Sequence, residues 1–308
     1  MSNDRLSPRQ LSVAVLTGGL SAGAAAAGQA DWWWLLALIP AGMGLGWLLL
    51  RRVGGRPLHP VLKILYGGWA VVLLSDVLGR AAGRVQTASG GERDRVWLLV
   101  LLALPLLWMG WGKAVAFFRA AEIFWLAAGV TAVAVLLLGA PRMVWSWTLE
   151  SAGNWGRSLA AGGLTLFTGL FALPLLYKVE EEPGGTHRGL LWLGILGLLS
   201  AALAALTAGL LRPVVAARLE GSFFAAAGLL GDSARLEGLI STLWLLPDLT
   251  LAGLLSRSWG EGPRPAGAVA AGLALTLAVP GGLPTWALSA GCLILAALTL
   301  ILPSGRIK

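Results

Sequence analysis

The sequence predicts an all-α integral membrane protein of ten transmembrane helices, organised as one domain over residues 1–308. Three observations lead there. First, 57% of the residues are hydrophobic and only 12% are charged, about half the charged share of an ordinary soluble domain. Second, long apolar stretches recur along the whole chain, and the Lys and Arg residues cluster in short connectors between them. Third, none of the stretches alternates with the period of a strand. In lipid a backbone must satisfy its polar groups within its own segment, which a helix does.

A spanning helix needs roughly 20 mostly apolar residues, because the hydrocarbon core is about 30 Å thick and each residue rises about 1.5 Å. The first span runs from Leu11 to Gly28, the second from Trp32 to Leu50 and the third from Pro60 to Leu78, where Lys63 and Asp76 crowd its ends. The fourth covers Val96 to Gly112 and the fifth Ala120 to Ala140. The sixth extends from Leu159 to Tyr177, the seventh from Gly189 to Leu211 and the eighth from Leu236 to Leu255. The ninth, Ala266 to Leu283, is interrupted by Pro280, Gly281 and Gly282, and the tenth is Thr285 to Leu302. Between the seventh and eighth spans, Val214 to Leu230 is apolar but carries Arg218 and Glu220. That pattern suits an interfacial or re-entrant helix covering the bundle.

The net charge is +8. Basic clusters confined to connectors read as membrane topology and not as a nucleic-acid surface. With ten spans both termini lie on one side. If that side is cytoplasmic it holds 14 of the 23 Lys and Arg residues, against 9 outside, which favours both termini inside. Many of the 16 Trp, among them Trp32, Trp33, Trp34, Trp97, Trp145 and Trp155, sit at span ends. There an indole bridges hydrocarbon and headgroups. The single Cys292 has no partner within the chain, so internal disulfides are excluded.

Arg5 and Arg9 before an apolar stretch ending in small residues resemble a secretory leader cleaved after Ala30. Against cleavage, Gly18, Gly19 and Gly23 break that stretch, and the apolar pattern continues through further segments. Gly19-Leu20-Ser21-Ala22-Gly23 matches the G-x-S-x-G pattern of a serine nucleophile, whose turn joins a strand to a helix. Here the context is helical, and the only histidines, His59 and His187, fall in or beside connectors. No base accompanies the serine and no metal-ligand spacing occurs, so no catalytic residue, metal or cofactor is expected.

Thr17, Gly18, Gly19 and Gly23 in the first span match Gly162, Gly163, Thr165, Thr168, Gly169 and Pro174 in the sixth. These are the first spans of two five-helix halves, about 1–141 and about 150–308. Interrupted helices at matching positions point to an inverted-repeat transporter that frees backbone groups at mid-membrane to hold a solute. On this reading Thr17, Gly18, Gly19, Ser21, Thr165, Thr168 and Gly169 form the substrate pocket. The competing explanation is close helix packing through small residues.

Ionisable groups within spans are costly and point to function. Asp248, after Pro247 in the middle of the eighth span, is the sharpest case and a candidate for proton or ion coupling. A hydrogen-bonded Asp closing the gap left by the proline is the structural alternative. Arg119 with Glu122, and Arg235 with Glu237, read as local structural ion pairs or caps.

Several of these patterns together resemble the B-subunit membrane proteins of bacterial spore-germinant receptors, within the amino acid, polyamine and organocation transporter superfamily. Leu6-Ser7-Pro8-Arg9-Gln10-Leu11 is similar to the family's start before its first helix, and Asp31-Trp32 to the start of its second. Gly112-Lys113 through Arg119-Ala120-Ala121-Glu122-Ile123-Phe124 resembles the link between helices four and five. Arg235-Leu236-Glu237-Gly238-Leu239 with Trp244 resembles helix eight. The chain is shorter than typical members, lacks the Thr-Pro pair entering helix four, and has Leu170, Phe171, Ala172 and Leu173 where an acidic residue is expected in helix six.

The resemblance implies a five-plus-five inverted repeat with interrupted helices one and six, and a small amino-acid-like nutrient bound between them. It further implies a place in the spore inner membrane beside a companion membrane subunit with a soluble domain and a lipoprotein subunit. A proton-coupled amino-acid transporter and a non-transporting scaffold of sporulation are the alternatives.

Overall fold

The computed structural model describes residues 6–53, 58–89, 91, 94–151, 153–179, 185–219, 221–231, 235–260, 263–279 and 283–302. Among them the regular structure is helical, apart from an isolated parallel bridge between Leu6 and Val179. Helix α1, Pro8–Ala26, starts with a capping box in which Ser7 and Gln10 satisfy each other's backbone N–H groups, and with a proline whose missing N–H is harmless there. Unlike the sequence expectation, α1 is unbroken across Gly18, Gly19 and Gly23. Each glycine costs about 1 kcal/mol of helix propensity. The return is close approach, because a Cβ at Gly18 would lie 3.2 Å from Leu251 Cα and one at Gly19 2.3 Å from Leu196. The first span is therefore a packed helix and frees no backbone groups.

Helices α2 (Trp32–Val53) and α3 (Pro60–Ala88) follow. The sequence ends the third span at Leu78, whereas α3 runs ten residues further, carried through Asp76, Arg80 and Arg84 by good helix formers and the Asp76–Arg80 pair one turn apart. Helices α4 (Arg95–Trp111) and α5 (Ala114–Gly139) come next, then the short α6 (Trp145–Thr148) and α7 (Trp155–Phe167). The sixth span changes character at Thr168, where α7 gives way to 3₁₀ helix over Thr168–Lys178, with Pro174 inside it. A 3₁₀ run of that length is unusual and marks a strained or hinging segment. Helix α8 is Gly185–Leu211.

The segment read as a covering helix forms two short helices, α9 (Pro213–Ala216) and α10 (Ser222–Gly228), which bury Phe223 and Phe224. Arg212 and Gly221 precede them with φ of 63° and 70°. The eighth span is split into α11 (Arg235–Leu243) and α12 (Leu245–Arg257), because Pro247 has no N–H and its ring opposes the carbonyl of Leu243. Helices α13 (Arg264–Ala278) and α14 (Thr285–Ile301) complete the bundle, and the predicted interruption at 280–282 lies outside the described residues.

Six of the described helical stretches are long and apolar enough to cross a membrane, and α4, α13 and α14 are shorter apolar helices. Helix α1 runs through the middle, packed on α5, α7, α8 and α12. The outer faces of α4 and α5 expose Trp97, Trp108, Leu126, Val130 and Leu137. An apolar surface of this extent suits lipid and not water.

Candidate functional site

A buried ion pair lies where α1, α3 and α12 meet. Asp248 is 3% exposed and lies in the first turn of α12, where the unpaired N–H groups of a helix N-terminus favour negative charge. Ser21 of α1 donates its hydroxyl to Asp248 Oδ1 at 2.5 Å. Arg84 of α3 donates to and ion-pairs with Asp248 Oδ2. The Arg84 side chain is 10% exposed, and its guanidinium lies 4.4 Å from the centre of the Phe224 ring of α10, a cation–π contact that roofs the pair. Phe224 and Phe223 in turn pack on Trp244 at the α11–α12 break.

One turn down α3 sits a second pair, in which Arg80 Nε donates to Asp76 Oδ2 at 2.9 Å. Both border a small cavity of about 10 Å³, room for about one water. Its other walls are Ala22 of α1, Leu164 and Thr168 of the sixth span, and Leu251 and Leu255 of α12. The Asp248 network lies next to this space, with Arg84 one turn beyond Arg80 on α3 and Asp248 one turn before Leu251 on α12. Relative to the cavity walls it lies towards the C-terminal end of α3 and the N-terminal end of α12.

The residues expected to form a pocket divide between this region and the packing around it. Ser21 reaches Asp248, and Thr168 lines the cavity where the helix turns 3₁₀. The hydroxyls of Thr17, Thr165 and Thr168 donate to carbonyls of Val13, Ala161 and Thr165 in their own segment. Gly18 and Gly19 face Leu251 and Leu196, and Gly169 faces Val15. Thr165 borders Gly23 beside Ser200, a buried hydroxyl with no hydrogen-bond partner.

Glu122 ion-pairs with Arg9 of α1 at 3.7 Å, so its partner comes from a neighbouring helix and not from Arg119 one turn away. Glu237 packs against Gly228 of α10, while the side chains of Arg235 and His187 lie outside the described residues. Among the described residues no group of His, Cys, Asp and Glu could hold a metal ion.

Ending the third span at Leu78 leaves Arg80 and Arg84 in the connector that follows and makes Asp76 only a residue crowding the span's end, so their part in the site was missed. The available signal was helical spacing: residues 73, 76, 77, 80 and 84 share one face of a helix that continues past Leu78. Arg257, likewise counted as a connector residue, is 3% exposed and donates to the carbonyls of Met109 and Gly112 at 2.5 and 2.7 Å. It satisfies the otherwise unpaired carbonyls at the C-terminal end of α4. Asp31 accepts from Ser151 at 2.7 Å, and Trp32 donates to the Thr148 carbonyl at 2.8 Å. The Asp-Trp pair thus ties the start of α2 to the α6–α7 connector.

No family model matches this chain, and no curated protein matches it. Among solved structures, the crystal structure of MhsT in complex with L-phenylalanine superposes on 96% of this chain and 88% of its own, with a TM-score of 0.70 and 15% identity. The chain therefore shares the fold of MhsT.

Proposed function

We propose that this chain is a multi-pass membrane permease subunit that binds a small amino-acid-like solute in the region bounded by α1, α3, α7 and α12. The observation that carries this reading is the placement of two ion pairs one turn apart on α3, Asp76 with Arg80 at the wall of a small cavity and Arg84 with Asp248 beyond it, inside a mainly apolar bundle. Ionisable groups inside a membrane bundle mark solute and ion pathways. A mixed set of this kind complements a molecule carrying both charges. The fold is shared with a protein solved with L-phenylalanine bound, which supports the solute class by analogy.

Within this reading the ten spans form a five-plus-five inverted repeat with both termini cytoplasmic. The resemblance of the Leu6–Leu11, Asp31-Trp32, Arg119–Glu122 and Arg235–Glu237 patterns supports a place in a germinant-receptor-like complex with a soluble-domain membrane subunit and a lipoprotein. The pocket takes its hydroxyls from Thr17, Ser21, Thr165 and Thr168, with Gly169 bringing the sixth span onto Val15 of the first and Gly18 and Gly19 letting the first pack on α12 and α8.

Purified protein in proteoliposomes tests the solute class: binding of labelled L-alanine or L-phenylalanine above protein-free vesicles is the expected result, and its absence for both sinks the reading. Uptake driven by a pH gradient and lost in Asp248→Asn favours the proton-coupled transporter. Loss of a nutrient germination response on gene deletion, with normal spore assembly, favours the receptor, whereas defective spores with normal germination favour the scaffold.

A further inference from the structure

We infer that Arg84 is the carboxylate-recognition residue of this site, receiving the acid group of the solute on the part of its guanidinium that Asp248 leaves free. The inference rests on the binding reading above and names the chemistry of one end of the ligand. Arg84 offers five N–H donors in a planar fork, and its one hydrogen-bonding partner among the described residues is Asp248 Oδ2. Its Nε is fully buried and has no partner, although the side chain is nine-tenths buried. A buried charged donor left unmade is expensive, and an oxoanion accepting from it removes that cost. The Phe224 ring covers the face of the guanidinium, so a ligand must come in along the edge, in the plane where carboxylates pair with arginine.

The other donors of the region are spent, open to water, or uncharged, as are the unpartnered Trp244 indole and Ser200 hydroxyl. Helix α1 is continuous, so its mid-span N–H groups are spent within the helix. Thr17, Thr165 and Thr168 donate within their own segments, and Ser21 donates to Asp248. Arg80 gives its Nε to Asp76, and its side chain is 29% exposed, so water can serve its remaining N–H groups. One turn beyond Arg80, which borders the cavity, Arg84 therefore presents an acid group with a buried charged donor that is unspent. Asp248 holds the guanidinium in place and competes for its charge, so weakening that counter-ion should strengthen the ligand's grip.

Thermal stabilisation and calorimetric titration of the detergent-purified protein test this with probes that separate the two ends of an amino acid: L-alanine, its amide and propionate, and likewise L-phenylalanine, its amide and 3-phenylpropionate. The expected result is binding of the acids, at least tenfold weaker binding of the amides, and at least tenfold weaker acid binding in Arg84→Lys, which keeps the charge and loses the fork. Asp248→Asn should bind the acids more tightly than wild type, an effect that a purely structural role for Arg84 does not produce. It also covers the case in which Arg84→Lys fails to fold.

Equal binding of acid and amide, or acid binding unchanged in Arg84→Lys, overturns the Arg84 assignment while leaving solute binding intact. Binding of propionate or 3-phenylpropionate as tight as that of the amino acids upholds Arg84 and removes the amino-acid reading. No binding by any probe overturns both.

Discussion

Asp248 illustrates how a single residue's meaning depends on neighbours that are distant in sequence. Taken alone it is a carboxylate in a span, following a proline. In the fold it stands at the N-terminal turn of α12, accepts from Ser21 and pairs with Arg84, so its charge has a permanent counter-ion. Removing one partner of a buried pair leaves an uncompensated charge, at a cost of about 3–5 kcal/mol, while replacing both with apolar groups of similar volume is often close to neutral. Asp248→Ala should therefore lower the thermal unfolding temperature in detergent by much more than the double variant Arg84→Met with Asp248→Leu. Equal losses in the two would mean that the pair is solvated. Tyr66 and Trp259 are satisfied in the same non-local manner, the phenol with Thr299 at 2.9 Å and the indole with the Gly67 carbonyl at 2.7 Å.

At the scale of the element, glycine has two meanings in this chain, and only packing separates them. Gly28 follows α1 directly beneath the α9–α10 segment, where a Cβ would lie 1.6 Å from Ser222 Oγ and 2.9 Å from the Ala216 carbonyl oxygen. Gly44 sits inside α2 with nothing within 4 Å. Gly28→Ala must push the covering helices away and should destabilise by about 1–3 kcal/mol, whereas Gly44→Ala should stabilise by about 0.5–1 kcal/mol through helix propensity alone. Unfolding of the two variants under identical conditions checks the contrast, and a loss at Gly44 as large as that at Gly28 would contradict it. The helix breaks follow the same lesson: Pro247 interrupts the eighth span as a proline must, while the glycines of α1 interrupt nothing because neighbouring side chains hold the helix closed around them.

For the molecule as a whole, the decisive boundary lies between the lipid-facing surface and the interior. Leu126 is 67% exposed midway along α5, on a face with Ile123 and Val130. If that face meets hydrocarbon, Leu126→Asp exchanges a favourable residue for a costly one and should disfavour membrane insertion of the α5 segment by about 3–4 kcal/mol. A glycosylation-reporter insertion assay measures this, and unchanged insertion would place the face elsewhere. The interior differs in kind: Arg84 with Asp248, Arg80 with Asp76, and Arg257 on the α4 carbonyls put the guanidiniums of the bundle onto specific acceptors. The bundle is thereby fastened through α3, α4 and α12, and α1 is coupled to that set through Ser21.

What the sequence by itself determined is the class of solvent and the class of element. Apolar runs of spanning length with most of the charge between them admit helices in lipid, and the covering segment at Val214–Leu230 was legible from its mixed character. The matched glycines located the central helix, α1, and the one at the 3₁₀ switch, though not their conformation. Only the tertiary structure decided which interrupted pattern is a real break, that α3 continues to Ala88, and that Arg84 faces Asp248. The physical reason is range. Hydrophobic length and helix periodicity are local properties that a single segment carries, whereas the partner of a buried charge and the fit of a side chain against a glycine are set between helices separated by many residues, and exist only once those helices pack.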